Sequence, residues 1–204
     1  MKYIKWKSLI ITGIVCILPI LLGMALWNDL PDTMAIHFNF RNEPDGFASK
    51  SFVVFGLPVL MATFQIICCI TNDVNAHKHG GSKKFEQATK FIIPFVAVVL
   101  QIATLGYGIG WNVDIRKVCV FVIGVVFIIT GKYMPELDYI KNKKVDSEKA
   151  RKINKLVGFE TVIMGVLGLI TIFLPPVTTV VWIILLIPYA VIGAAYGVKV
   201  IRRG

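Results

Sequence analysis

Apolar residues fall in six long runs, and most charged residues are confined to short blocks between them. The runs cover about 8–27, 51–70, 91–111, 115–134, 156–174 and 180–199. A helix needs roughly 20 apolar residues to cross a hydrocarbon core of about 30 Å. Continuous rather than alternating apolarity predicts helices and not barrel strands, because in lipid each backbone polar group must be satisfied within its own span. The expected fold is therefore all-α: a polytopic membrane helical bundle of six transmembrane helices. The fourth run is the weakest, since its strictly apolar part, Val118 to Thr130, is thirteen residues. Such a span draws on its flanks or thins the bilayer locally. Lys2, Lys5 and Lys7 followed by Ser8 to Trp27 have the outline of a signal peptide. The run is longer than an h-region and Gly23-Met24-Ala25 is a poor cleavage site, so it reads as a retained anchor.

Charge fixes the expected orientation. With the N-terminus inside, the inner segments are 1–7, 71–90, 135–155 and 200–204; with Lys132 and Lys199 at the boundary they hold eighteen of the twenty-two Lys and Arg. The outer side keeps Arg41, Lys50, Arg116 and Lys117. This asymmetry predicts six spans with both ends inside. Residues 1–130 form an N-terminal membrane domain with an outer loop at 28–50, and 131–204 a C-terminal helical hairpin with a basic inner loop, in one integrated unit. The net charge of +10 then belongs to orientation and not to nucleic acid, for which no basic stretch is long enough. Cys16, Cys68, Cys69 and Cys119 all lie in apolar runs, where Cys acts as a small hydrophobe.

The outer loop carries the most informative pattern. It combines the turn formers Pro44-Asp45-Gly46 with a short hydrophobic stretch around Ile36 to Phe40 that could be extended. At 23 residues it is long for a plain connector. The pattern Leu30, Pro31, His37, Phe38, Asn39, then Pro44, Asp45, Gly46, Ser49 and Lys50 before a span resembles the signature of the bacterial SdpI-like family. Members usually have Gly where this chain has Asn42, and Asn tolerates the left-handed backbone such a Gly would serve. The family's second region is matched by Gly131, Tyr133, Met134 and Pro135, with Lys132 departing from the pattern. The family's Thr-Pro-Trp stretch is absent, and alignment on Gly158 puts Ala150 and Asn154 where Trp and His are expected.

The resemblance implies a multi-pass protein of the bacterial plasma membrane that protects against, or senses, a secreted peptide toxin. It further implies a cytoplasmic repressor protein as partner, besides the lipid bilayer. The competing readings are a small transporter or permease and an accessory subunit of a membrane complex. No phosphate loop, nucleophile elbow or zinc-protease motif occurs, so neither an enzyme nor a cofactor is expected. A metal at His37 would need Asp29, Asp32, Glu43 or Asp45 as partners; a hydrogen-bonding role that fixes the loop is the simpler expectation, and no metal is assigned.

Inside the bilayer two polar residues stand out. Pro58 precedes Gln65 by seven residues, and Pro94 precedes Gln101 by the same offset. Seven residues is close to two helical turns, which puts each pair on one face and makes a Gln65–Gln101 hydrogen bond geometrically reasonable. Gly106 to Gly110 and Gly193 to Gly197 have the spacing of close helix packing, while Gly158, Gly165 and Gly168 thin span five. The inner segment holding His77 and His79 reads as a flexible basic connector. In the inner loop 135–155, Asp146 or Ser147 could cap a helix running into span five.

Overall fold

The computed structural model describes residues 3–39, 41–79, 82–136 and 147–203. In chain order the elements are α1 (Trp6–Ile17), α2 (Pro19–Ala25), β1 (Thr33–Phe38), β2 (Pro44–Ser49), a π turn (Phe52–Gly56), α3 (Leu57–His79), α4 (Lys83–Lys90), α5 (Ile92–Gly108), α6 (Ile115–Tyr133), a 3₁₀ turn (Met134–Glu136), α7 (Ser147–Thr171) and α8 (Pro176–Arg203). Among the described residues, five stretches are helical, long and apolar enough to cross a membrane: Trp6–Ala25, Phe52–Lys78, Lys83–Gly108, Ile115–Glu136 and Arg151–Thr171. The helix that follows them, α8, is 28 residues long, with Pro176–Val191 as its described apolar part. The fourth run, the weakest in the sequence, gains its length from Ile115, Arg116 and Lys117 at one end and from the 3₁₀ turn at the other.

Each break has a local cause. Pro19 has no amide to offer, so the first rod is split into α1 and α2 while Leu18 keeps helical angles (φ −51°, ψ −37°). Pro94 marks the α4–α5 junction at Phe91 in the same way. Before α3, Leu57 N–H donates to the Phe52 carbonyl, the five-residue spacing of a π turn. Gly110 (φ +88°) ends α5: its N–H reaches the Tyr107 carbonyl at 3.1 Å and the Trp111 N–H reaches that of Gly106 at 2.9 Å, a Schellman closure.

The chain divides into two compact units. The first, Met1–Thr71 with Lys90–Val122, has a core of Leu30, Met34, Val53, Val54 and Leu105, with Leu26, Trp27, Ala48, Leu57 and Ile109 packed against it. The second, Asn72–Thr89 with Ile123–Gly204, is organised by glycines. A Cβ on Gly124 would meet the Gly165 carbonyl at 3.0 Å, and one on Gly165 would meet that of Gly124 at 2.7 Å. Seven residues along, Gly131 and Gly158 repeat the relation at 2.5 and 2.6 Å. Backbone therefore meets backbone at two levels of the α6–α7 contact. Trp182 closes the other side of α7, its indole N–H donating to the Met164 carbonyl at 3.0 Å and its ring lying over Gly168.

The structure sharpens some expectations and corrects others. The structure is mostly helical, and the loop at 28–50 adds one two-stranded element to it: Thr33–Phe38 and Pro44–Ser49 form a hairpin, with Met34 and Ala35 of the first strand buried. The segment expected as a flexible connector is helical up to His79 and again from Lys83, with Asp73, Glu86 and Lys90 buried; residues 80 and 81 lie outside the described residues. Gly106 and Gly110 are not a helix-packing pair; Gly110 serves the chain reversal and Gly106 receives the Trp111 ring. Among the described residues of this one chain, Gly193 has nothing within 4 Å of a built Cβ. Ser147 is where α7 begins, whereas Asp146, Lys141, Lys143 and Lys144 lie outside the described residues.

Candidate functional site

The hairpin between α2 and α3 gathers most of the loop motif. β1 and β2 are antiparallel, pairing Thr33 with Ser49, Met34 with Ala48, Ala35 with Phe47, His37 with Gly46 and Phe38 with Pro44. The register skips Ile36 on one strand and Asp45 on the other. Each bulge adds twist and redirects a side chain. The displaced Asp45 accepts a hydrogen bond from His37 Nδ1 at 2.5 Å, with the imidazole 72% and the carboxylate 44% exposed. Gly46 lies opposite His37, and a Cβ there would come within 2.8 Å of the His37 Cβ. The Pro-Asp-Gly triplet thus supplies a strand start, a partner for the histidine and the room the histidine needs.

Asn39 builds the tip. Its side-chain oxygen accepts from the Arg41 N–H at 2.8 Å and the Glu43 N–H at 3.1 Å, and its amide donates to the Glu43 carboxylate at 2.9 Å. This is the local Asx chemistry that turns favour. The chain then requires φ +63° at Asn42, an angle that Asn adopts at low cost. Asn42 also does what a glycine could not. Its side-chain oxygen accepts from the Ile115 N–H at 2.9 Å, and its amide reaches the Val113 carbonyl at 3.5 Å, so the tip is fastened to the start of α6. Asp114 completes that helix start by accepting from the Lys117 N–H at 3.1 Å and from Arg116 at 2.9 Å. Burial pushes the Asp114 carboxyl up, but the Arg116 and Lys117 hydrogen bonds and charges outweigh it and hold the group below its ordinary value.

The base of the hairpin is held equally firmly. Lys50 N–H donates to the Asp32 carbonyl at 2.8 Å, while its ammonium lies 3.2 Å from the Asp32 carboxylate, 3.3 Å from the Trp27 carbonyl and 5.1 Å from the Trp27 ring centre. Ser49 Oγ accepts from the Phe52 N–H at 3.3 Å, capping the next helix. Phe38 meets Tyr107 edge-on at 4.8 Å, and Met34, Leu30 and Pro31 lie over Gly108 of α5. The motif residues Pro31, His37, Phe38, Asn39, Pro44, Asp45, Gly46, Ser49 and Lys50 therefore act within one element. They face outward at His37 and Asp45, with Ile36 and Phe47 as exposed apolar side chains nearby in sequence. Phe40 lies outside the described residues.

The glutamines do not bond to each other. Gln65, fully buried, donates from Nε2 to the Lys90 carbonyl at 2.8 Å and to Thr12 Oγ1 at 2.7 Å, with Cys69 Sγ at 3.1 Å. Gln101 donates to the Val53 carbonyl at 2.8 Å. Each accepting carbonyl is one that a proline strands. Lys90 is four residues before Pro94, where an α-helix would supply an amide; Val53 is five before Pro58, where the π turn would supply one. Gln65 thus answers the proline of α5, and Gln101 the proline at the start of α3. The repeated Pro-to-Gln offset held this signal, but the partners are crossed between helices. Thr12 and Val53 carried no sequence signal.

The inner motif has a packing role. Met134 and Pro135 lie against Gly158, at 3.3 and 3.1 Å from a built Cβ, and Lys132 stands 5.7 Å from the Tyr133 ring centre. Among the described residues, no group of three or more His, Cys, Asp or Glu side chains is placed to share a metal ion.

These features define a multi-pass helical membrane protein with a structured hairpin after its first apolar rod. Residues 14–62 match the family model described as a domain of unknown function (DUF1648), a membrane-associated domain that SdpI-like proteins often carry. No curated protein and no solved structure matches the chain.

Proposed function

We propose that this chain is a non-enzymatic immunity or signalling protein of the bacterial plasma membrane, acting on a secreted, membrane-active peptide. Its hairpin would face outward and α8 would complete six spans, with both termini in the cytoplasm. The carrying observation is that the matched segment, residues 14–62, contains the whole hairpin, the second half of the apolar rod before it and the start of the span after it. That hairpin is held at base, tip and underside, so His37, Asp45, Ile36 and Phe47 are presented on a rigid support. The basic inner surface supports the orientation, and in the signalling role it would receive a cytoplasmic repressor protein. The permease reading loses ground because both glutamine amides are committed to backbone carbonyls.

Expression in a toxin-sensitive bacterium tests the proposal. Survival against at least one of a panel of secreted peptides is expected, reduced by the His37→Ala, Asp45→Ala double variant. Unchanged killing across the panel, with membrane expression confirmed, would overturn it. Reporter fusions at Arg41 and at the C-terminus test orientation independently: activity of a periplasm-dependent reporter is expected only at Arg41.

A further inference from the structure

The second unit contains a cleft of about 630 Å³ lined by Pro135, Glu136, Glu148, Arg151, Lys152 and Lys155. Helical spacing places Arg151 and Lys155 one turn apart, with Glu148 and Lys152 beside them. The opposite wall is the 3₁₀ turn, brought there because the Gly131–Gly158 approach seats Met134 and Pro135 on α7. The two acids are already engaged: Glu148 with Lys152 at 2.9 Å and Glu136 with Lys84 at 3.4 Å. Arg151 and Lys155 make no ion pair among the described residues, so they leave the cleft positive. Directly beyond them α7 turns apolar, and Leu156, Phe159, Ile163, Leu167 and Ile170 form an exposed stripe at helical spacing. The cleft therefore sits at a polar–apolar boundary, two guanidinium or ammonium groups above a greasy track.

We propose that this cleft binds a phosphate group at the membrane surface, with Arg151 and Lys155 holding its oxygens. A phospholipid would satisfy both halves of the site, its phosphodiester in the cleft and its chains along the stripe; phosphate in solution shares only the first half. Arg suits this role because its planar fork matches two phosphate oxygens.

The test uses the full chain in detergent, with thermal unfolding followed during titration of phosphatidylglycerol, phosphatidylcholine or inorganic phosphate. Phosphatidylglycerol is expected to raise Tm. Its affinity should fall on the order of 30-fold in the Arg151→Gln, Lys155→Gln variant, from the loss of two surface bases. A matched loss of charge elsewhere, Lys7→Gln with Lys78→Gln, should leave the affinity within about threefold. Stabilisation by phosphatidylglycerol and not by inorganic phosphate assigns the group to lipid; an equal response to both assigns it to phosphate in solution. Both paired variants losing affinity alike, or phosphatidylcholine and phosphatidylglycerol acting alike, would overturn the proposal. All four substituted positions are exposed or at helix surfaces, and unfolding without lipid reports any loss of fold.

Discussion

Replacing Gln101 with Leu removes the donor to the Val53 carbonyl while nearly keeping side-chain volume. Gln101 is 5% exposed and Val53 fully buried, so no water replaces the lost 2.8 Å bond. Interhelical hydrogen bonds in membranes contribute about 0.6–1.7 kcal/mol, and stranding a buried acceptor costs about 1–3 kcal/mol. The expected loss is therefore about 1–2 kcal/mol. If the loss arises because Pro58 strands that carbonyl, then Pro58→Ala supplies an amide to the same oxygen. In that background Gln101→Leu should cost only a few tenths of a kcal/mol, a coupling of about 1 kcal/mol. Reversible unfolding in mixed micelles of the four proteins of this cycle measures the coupling. Additivity within about 0.5 kcal/mol would refute the reasoning. The cycle Pro94→Ala with Gln65→Leu should behave likewise for the bond to Lys90, with a residual cost from the bond to Thr12.

Other substitutions probe the rest of the fold. Gly131→Ala places a Cβ 2.5 Å from the Gly158 carbonyl and should cost about 1–3 kcal/mol in the same unfolding assay, while Gly193→Ala, in open space, should be near neutral. Asn42→Gly keeps the left-handed backbone but loses the acceptor for Ile115; about 1 kcal/mol is expected, seen as faster amide exchange at Ile115, with Asn42→Ala costing more because it also strains φ. Asp114 has a lowered carboxyl pKa, so its contribution is full above the unfolded value of about 4 and is lost as pH falls through the folded value. A pH series of unfolding should therefore show a steeper acid limb in the parent chain than in Asp114→Asn.

What could be read in advance follows from how local each cause is. The five membrane-length helices among the described residues were legible because about 20 apolar residues in a row are a one-dimensional signal. Extension was legible only around Ile36 to Phe40, since the strands are short, bulged at Ile36 and Asp45, and stabilised by α5 beneath them. Asn42 was marked by its backbone conformation, but its bonds reach more than seventy residues away to Val113 and Ile115. Pro58, Gln65, Pro94 and Gln101 were conspicuous as a repeat; that Gln101 serves Val53 depends on the π turn, and π geometry has no sequence mark. Gly124 escaped notice, and Gly131 stood out as a motif residue and not as a helix contact, because the two lie seven apart, beyond the four-residue spacing that flags close packing.

The crossed proline–glutamine pairs also bear on the order of assembly. Residues 52–56 precede Gln101 by most of two spans, so during synthesis the Val53 carbonyl enters the bilayer before its donor exists. Until α5 is inserted and docked, the α3 rod carries an open acceptor in hydrocarbon, and α5 in turn arrives with Lys90 open and finds Gln65 waiting. Neither helix is at rest alone, so their insertion should mature as a pair, with α3 held beside the translocation machinery until its partner emerges.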